Sequence, residues 1–456
     1  MRLLAVFLIA TAGLILRLDA AWHGTERNLP DSAAYERIAR GLHEDQTFTQ
    51  KGPGTPIHPQ PASNYSPGLP LAVAGVFDLA GHDDVRLARI LLALVSSLSI
   101  PMAWLLARRL SPGGEAGVAG IAAAAVVAFY PCLIADAGML LTESLAGTLI
   151  IGALLAIVRA RDRARADSPR SLMSGALDWA LPGLLLGLAA MVRPEYLGIS
   201  ILLAGALVLI NRRHGLRPAL LGSAAMLAAL FLVIAPWTIR NLDQTGRFVP
   251  LSTGGGQTLF TGSYLDSGGD PLEVMPAVLR RNPDVAREIE AQNRLSGEGV
   301  DSITPERVLA LLAADRMPGI ETDVALADMG RQNYLRALQE DPAGLAGFLT
   351  GKAARIWWRG RTDLTGTAIG RAVHMTLIAA ALAGLVLLGL RRRPEFWLIA
   401  TLAVGATVIG VLLVASPRRT LTLWPVIACL SGIGLAGAAR LARDAVTGRL
   451  RPVRIA

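Results

Sequence analysis

Apolar runs close to the length of a membrane span recur along almost the whole chain, and two long polar stretches, residues 19–67 and 237–367, interrupt them. A helix needs roughly 20 apolar residues to cross a bilayer, where no water is present to satisfy an open backbone. Residues 3–18, 85–107, 115–133, 140–158, 176–191, 196–210, 219–236, 369–390, 396–415 and 421–439 meet or approach that length, which predicts about ten transmembrane helices. The run 69–80 is only about a dozen residues long, too short for a span, and predicts a re-entrant or interfacial helix. Composition points the same way. With 52% hydrophobic and 17% charged residues among 456 and a mean hydropathy of +0.46, the chain has too little polar surface for a soluble protein.

The formal charge of +9 does not indicate nucleic acid, because the basic residues fall in short runs beside apolar segments. With 69–80 kept on the outer side, the basic loops 108–109, 159–170, 212–217 and 391–393 and the tail 440–454 lie on one side of the membrane. The positive-inside rule then places both termini in the cytoplasm and both polar stretches outside. Arg17 and Asp19 stand where a signal peptide would need small residues, so 3–18 is expected to stay as an uncleaved first span. Abundant Ala and Arg with few Lys point to a bacterial gene and a plasma-membrane protein whose active face is outward. Cys132 and Cys429 lie far apart in apolar runs, which excludes a disulfide framework. Ionisable residues are scarce at mid-span, no repeat relates the two halves, and no Walker-type glycine loop is present. Ion-coupled transport and nucleotide-driven chemistry are both disfavoured.

Three regions follow: 1–236 with a first outer loop at 19–84, an outer subdomain at 237–367, and C-terminal spans with a basic tail at 368–456. In the first outer loop, Tyr35, Ile38, Ala39 and Leu42 share one face of a short helix that opens at Asp31. Asp31 there is either an N-cap or a working carboxylate. In the second polar stretch, helices are expected over 275–295, 305–316, 323–340 and 342–358, with Asp341-Pro342 forcing a break. The glycine-rich 252–262 reads as a flexible loop, and Trp357 and Trp358 read as an interfacial anchor.

Several strings then matter in order: Asp31 through Leu42; Asn64-Tyr65-Ser66-Pro67-Gly68-Leu69-Pro70; Leu141-Thr142-Glu143-Ser144; Gly187 through Met191-Val192-Arg193-Pro194-Glu195; Pro236-Trp237-Thr238-Ile239-Arg240-Asn241; and Pro417-Arg418-Arg419-Thr420 through Trp424-Pro425. Together they resemble the integral-membrane glycosyltransferases that use lipid-phosphate sugar donors, the GT-C fold class that includes protein O-mannosyltransferases of glycosyltransferase family 39 and lipid A aminoarabinose transferases. The resemblance implies an all-α polytopic membrane protein, with juxtamembrane helices in the first outer loop and a small helical outer subdomain. It also implies transfer of a hexosyl or pentosyl group, with inversion, from a polyprenyl-phosphate donor to a hydroxyl of a protein, lipid or glycan on the outer face. Asp31 matches the acidic position of the first loop and is the expected catalytic residue. Tyr65 and Ser66 stand where the aminoarabinose branch has an acid and a Lys, so neither a metal site nor aminoarabinose specificity carries over.

The charge pattern reaches a similar mechanism independently. Arg86, Arg89, Arg193, Arg240, Arg371, Arg418 and Arg419 sit on the outer side against the positive-inside trend. Snorkelling explains Arg86 and Arg371. Arg193, Arg240 and Arg419, with Arg89, are the expected holders of the donor phosphate, because a guanidinium donates two parallel hydrogen bonds to phosphate oxygens. Tyr35, Tyr65, Asp136, Glu143 and Glu195 are candidate donor or acceptor contacts. His58, Asp31, Asp45 and Glu143 offer ligand atoms for a divalent metal but lack tight metal spacing, and loss of a lipid phosphate needs no obligatory cofactor. The rival readings are a transporter or flippase of lipid-linked saccharides and a polymerase or ligase of lipid-linked glycans.

Overall fold

The computed structural model describes residues 2–24, 30–50, 62–165, 172–296, 303–358, 360 and 363–447. Every regular element among them is helical. The first half carries α1 (Arg2–His23), α2 (Pro30–Asp45), α3 (Gly68–Ala80), α4 (Val85–Ser97), α5 (Ser99–Leu110), α6 (Ala116–Phe129), α7 (Pro131–Ala137), α8 (Thr142–Arg165), α9 (Leu172–Val192), α10 (Glu195–Asn211) and α11 (Leu216–Thr245). Then come α12 (Gly255–Ser263), α13 (Val274–Arg281), α14 (Pro283–Ser296), α15 (Pro305–Arg316), α16 (Thr322–Glu340) and α17 (Pro342–Trp358). The chain ends with α18 (Asp363–Gly366), α19 (Ala368–Leu390), α20 (Glu395–Leu412), α21 (Arg418–Leu421) and α22 (Trp424–Val446). It divides into two compact units: residues 1–251, 360–405 and 420–456, and residues 252–359 with 406–419.

The first unit holds the apolar bundle, and helices cover all ten apolar runs. Among the described residues, seven helices can cross a membrane by length and composition: α1, α4 with α5, α8, α11, α19, α20 and α22. An eighth is α6 with α7, which is bent by 49° where Tyr130 turns extended before Pro131. Residues 177–192 of α9, α10 and α3 are shorter apolar helices. In α22 almost every residue from Trp424 to Gly437 is buried, which marks it as the centre of the bundle. Leu3, Phe7 and Leu8 of α1, by contrast, present their apolar side chains outward. Small residues let the helix backbones approach closely. A Cβ on Gly183 would collide with the Met226 carbonyl, and one on Gly187 would stand 2.9 Å from the Leu230 carbonyl.

Those contacts also fix a register. Trp179 meets Gly222, Gly183 meets Met226 and Gly187 meets Leu230, so α9 and α11 run parallel at one constant sequence offset. Extended, the offset sets Arg193 level with Pro236, and Arg240 about one helical turn beyond it.

The second unit has its own core, in which Phe260, Val278, Ile289, Val308, Leu312 and Leu326 pack together from α12 through α16. Two expectations need correction here. Residues 275–295 are not one helix: Asn282 turns extended before Pro283, which opens a new helix as its first residue. Residues 252–262 are not a flexible loop but largely α12, held tightly. A Cβ on Gly256 would strike the Asp323 carbonyl, one on Gly262 the Leu413 carbonyl, and one on Gly330 would come within 2.9 Å of the Phe260 nitrogen. These glycines serve close packing rather than freedom.

Candidate active site at one end of the helix bundle

The turn between α9 and α10 carries Arg193, whose charge is met from two sides. Its Nε donates to Glu195 Oε1 at 2.8 Å, and its Nη1 lies 3.5 Å from Glu143 Oε1 and donates to Thr142 Oγ1 at 3.1 Å. Glu143 is fully enclosed and Arg193 nearly so. Asp136 caps the same region by accepting from the Ser144 amide at 2.9 Å and from the Ser144 hydroxyl. Glu143 and Asp136 are both buried at this end.

The segment that carries α2 and α3 assembles against this end. As the sequence pattern requires, α2 buries Ala34, Ile38 and Ala39, while Tyr35 and Leu42 pack against the core that α2 shares with α3 and α4. Tyr35 meets Tyr65 edge-on at 5.6 Å. The proline-rich string enters α3 beside the Arg193 turn, because a Cβ on Gly68 would come within 2.8 Å of the Met191 and Val192 backbone. Asp31 lies in the first turn of α2, about 10 Å along the helix from Ile38.

Ile38 joins Phe48, Ala62, Tyr65 and Trp237 in one apolar cluster, which links α2 to the far end of α11. Arg240 stands over that cluster, its guanidinium 4.8 Å from the Trp237 ring and 5.4 Å from the Phe48 ring. It donates to Asn241 Oδ1 at 3.1 Å and forms no ion pair among the described residues. Trp237 and Asn241 fasten the chain beyond α11 by donating to the Leu251 carbonyl at 2.9 and 3.0 Å.

Arg89, near the start of α4, donates to the Gly24 carbonyl at 2.8 Å, and its buried Nε has no hydrogen-bond partner among the described residues. Gly24 in turn abuts Gly138 at the turn between α7 and α8. The structure thus gathers α2 with Asp31, Tyr35, Tyr65, Arg89, Glu143, Arg193, Glu195 and Arg240 at one end of the first unit. Arg419 belongs to the second unit, where its Nε donates to the Val414 carbonyl at 2.9 Å. Arg86 stacks 5.0 Å from the Trp22 ring, and Arg371 donates to the Gly366 carbonyl at 3.3 Å. No group of three or more His, Cys, Asp or Glu side chains that could hold a metal occurs among the described residues, and His58 lies outside them.

Sequence reasoning read Arg17 only as an obstacle to signal-peptide cleavage. Because α1 continues to His23, Arg17 is buried within the helix and donates to the Gly13, Val127 and Ala128 carbonyls at 3.0, 2.6 and 3.3 Å. With Glu143 and Ser144 it lines a small internal void. The signal was an arginine one residue inside the end of the first apolar run.

No protein-family model matches the sequence, and no curated protein matches it. Among solved structures, the apo oligosaccharyltransferase of Archaeoglobus fulgidus aligns with a TM-score of 0.59 at 16% identity, covering 99% of this chain and 52% of that one. The oligosaccharyltransferase AglB of the same organism, in complex with an inhibitory peptide and a dolichol-phosphate, aligns with a TM-score of 0.57 at 15% identity over 98% of this chain and 52% of that one. ArnT from Cupriavidus metallidurans bound to undecaprenyl phosphate aligns over 98% of this chain and 81% of that one, at a TM-score of 0.40 and 16% identity. The chain spans about half the length of the oligosaccharyltransferases. Its helices adopt the GT-C fold of membrane glycosyltransferases, and the protein is a multi-pass membrane protein.

Proposed function

We propose that the protein is a glycosyltransferase that moves a sugar from a polyprenyl-phosphate donor to an acceptor hydroxyl at the outer face of the plasma membrane. The observation that carries this reading is the cluster of Ile38, Phe48, Tyr65 and Trp237, which joins the helix of Asp31 to the perch of Arg240 in a GT-C fold. Oligosaccharyltransferase AglB, of the same fold, was solved with a dolichol-phosphate, and ArnT with undecaprenyl phosphate.

In the proposed reaction the acceptor hydroxyl gives its proton to the Asp31 carboxylate as its oxygen bonds to the anomeric carbon. The bond from that carbon to the phosphate oxygen breaks, its electron pair leaves with the lipid phosphate, and the centre inverts. General-base help of this kind is worth about 10²–10⁴-fold. Arg240 and Arg89 oppose the charge that grows on the leaving phosphate. The geometry ranks them ahead of Arg193, which already faces two carboxylates. The sequence motif alone supports Arg419 in this role. Tyr35 and Tyr65 are proposed to flank the sugar or the acceptor, and no metal is assigned.

The test uses membranes containing the full chain, labelled polyprenyl-phosphate mannose, arabinose and related donors, and a trace of where the label goes. Asp31→Asn should leave the protein inserted and folded while transfer falls by about 10²–10⁴-fold. Full transfer in that variant sinks the base assignment. Movement of intact donor across the bilayer, without transfer, would favour a flippase instead.

A further inference from the structure

The opposite end of α10 carries a second site, about 25 Å along the helix from Arg193. There a cavity of about 680 Å³ opens between the end of α10 and the α19–α20 turn, lined by Arg212, Arg213, Arg392 and Arg393 with Leu209, Trp397 and other apolar side chains. No carboxylate lines it. Elsewhere at the same helix ends the basic residues are neutralised: Glu115 pairs with Arg391 at 2.8 Å and Arg440 at 2.9 Å, and Arg161 with Glu395 at 2.8 Å. Arg212, Arg213 and Arg392 form no ion pair among the described residues. Arg393 is partly engaged: its Nη2 donates to the Arg109 carbonyl at 2.9 Å and its Nε lies 3.7 Å from Glu395 Oε2, while that buried Nε has no hydrogen-bond partner among the described residues.

A second observation marks the same place. The α19 helix ends in a Schellman turn, with the Arg392 amide donating to the Gly389 carbonyl and the Arg393 amide to the Leu388 carbonyl, both at 2.9 Å. This puts Arg392 at φ +49°, in the left-handed conformation that normally takes glycine. The chain holds a guanidinium at the cavity mouth where a glycine would be relaxed. From there the cavity descends along Ala206 of α10 and Thr401 of α20, about one and a half turns into the apolar helices. Leu209 and Trp397, each 62% exposed, form an open apolar flank.

We propose that this cavity binds an anionic phospholipid, its headgroup phosphate on the four arginines and an acyl chain along Leu209 and Trp397. A soluble anion would leave the apolar flank uncovered, and a neutral lipid would leave the guanidiniums of Arg212, Arg213 and Arg392 unanswered. Basic pockets between membrane helices recognise anionic headgroups by this pairing.

Native mass spectrometry of the detergent-solubilised full chain, titrated with dioleoyl phosphatidylglycerol or dioleoyl phosphatidylcholine, tests the site. The wild type should retain phosphatidylglycerol and not phosphatidylcholine. Retention should fall about fivefold for each guanidinium removed in Arg213→Gln and Arg392→Gly. The second variant supplies the residue the backbone prefers, so its loss of lipid cannot be blamed on misfolding. Equal retention of both lipids, or phosphatidylglycerol binding unchanged in both variants, overturns the proposal. Displacement by millimolar inorganic phosphate alone would reduce the site to a simple anion site and overturn it too.

Discussion

Arg193 and Arg240 stand about a turn apart at the same end of parallel helices, yet the chain treats their charges in opposite ways. Arg193 is enclosed between Glu143 and Glu195, so its charge is spent on the protein itself. Arg240 rests on the aromatic faces of Phe48 and Trp237, which steady a cation without neutralising it. A residue that holds a turn together needs compensation. One that awaits an anionic ligand must keep its charge uncompensated, and an aromatic shelf allows that. The contrast is the ground for proposing a structural part for Arg193 and a phosphate-holding part for Arg240, where the sequence showed only two arginines beside apolar runs.

The largest effect expected is on stability. Arg193→Met strands the enclosed Glu143 carboxylate, and breaking a buried pair from one side costs about 3–5 kcal/mol. Thermal unfolding of the solubilised protein should show a deep loss, and Arg193→Met with Glu143→Gln should recover much of it. If Arg193→Met instead unfolds like the wild type while transfer disappears, the two arginines share one role and the contrast fails. Arg240→Ala should do the reverse. Its unfolding should stay close to wild type, while transfer from a polyprenyl-phosphate donor falls by about 10²–10³-fold, the usual effect of losing one donor to developing charge.

Much of the fold was legible because burial in a bilayer leaves a simple mark. The apolar runs predicted helices where helices stand, and the spacing of Tyr35, Ile38, Ala39 and Leu42 predicted the inward face of α2. What the sequence hid was partnership. The glycines of 252–262 look like freedom until Asp323 and Leu413 are seen pressed against them, and nothing local announces those neighbours. The break at Asn282-Pro283 was readable from the proline, but an apolar pattern continuing across it masked the signal. In the candidate site, Asp31 and the arginines were visible as residue types. Which arginine was already paired depended on Glu143, some fifty positions away in sequence. Arg17 was read only as an obstacle to cleavage because the first apolar run seemed to end at the residue after it, whereas α1 carries on to His23.

A third cation extends the contrast. Lys352 of α17 is fully enclosed and has no carboxylate partner among the described residues. Its Nζ donates to the Gly262 carbonyl at 2.6 Å and the Leu413 carbonyl at 2.7 Å, which ties α12 and α17 to the segment that leads to Arg418 and Arg419. Burial first, and then the charges of Arg355 and Arg419, push its pKa down to about 7 from an ordinary 10.5. Above pH 10.5 the amine is neutral whether the chain is folded or not. As pH falls from there towards 7, the unfolded chain takes up a proton that the folded one refuses, so stability declines across that window. Below about pH 7 both forms are protonated and the contribution is flat. Unfolding midpoints of the full chain measured between pH 7 and 10 should therefore rise with pH, and Lys352→Met should remove that part of the slope. Parallel profiles for the two proteins would mean that Lys352 keeps its proton in the folded state, held by the carbonyls, the Tyr334 hydroxyl and the Phe348 ring, and that a buried cation here can do without the carboxylates that Arg193 requires.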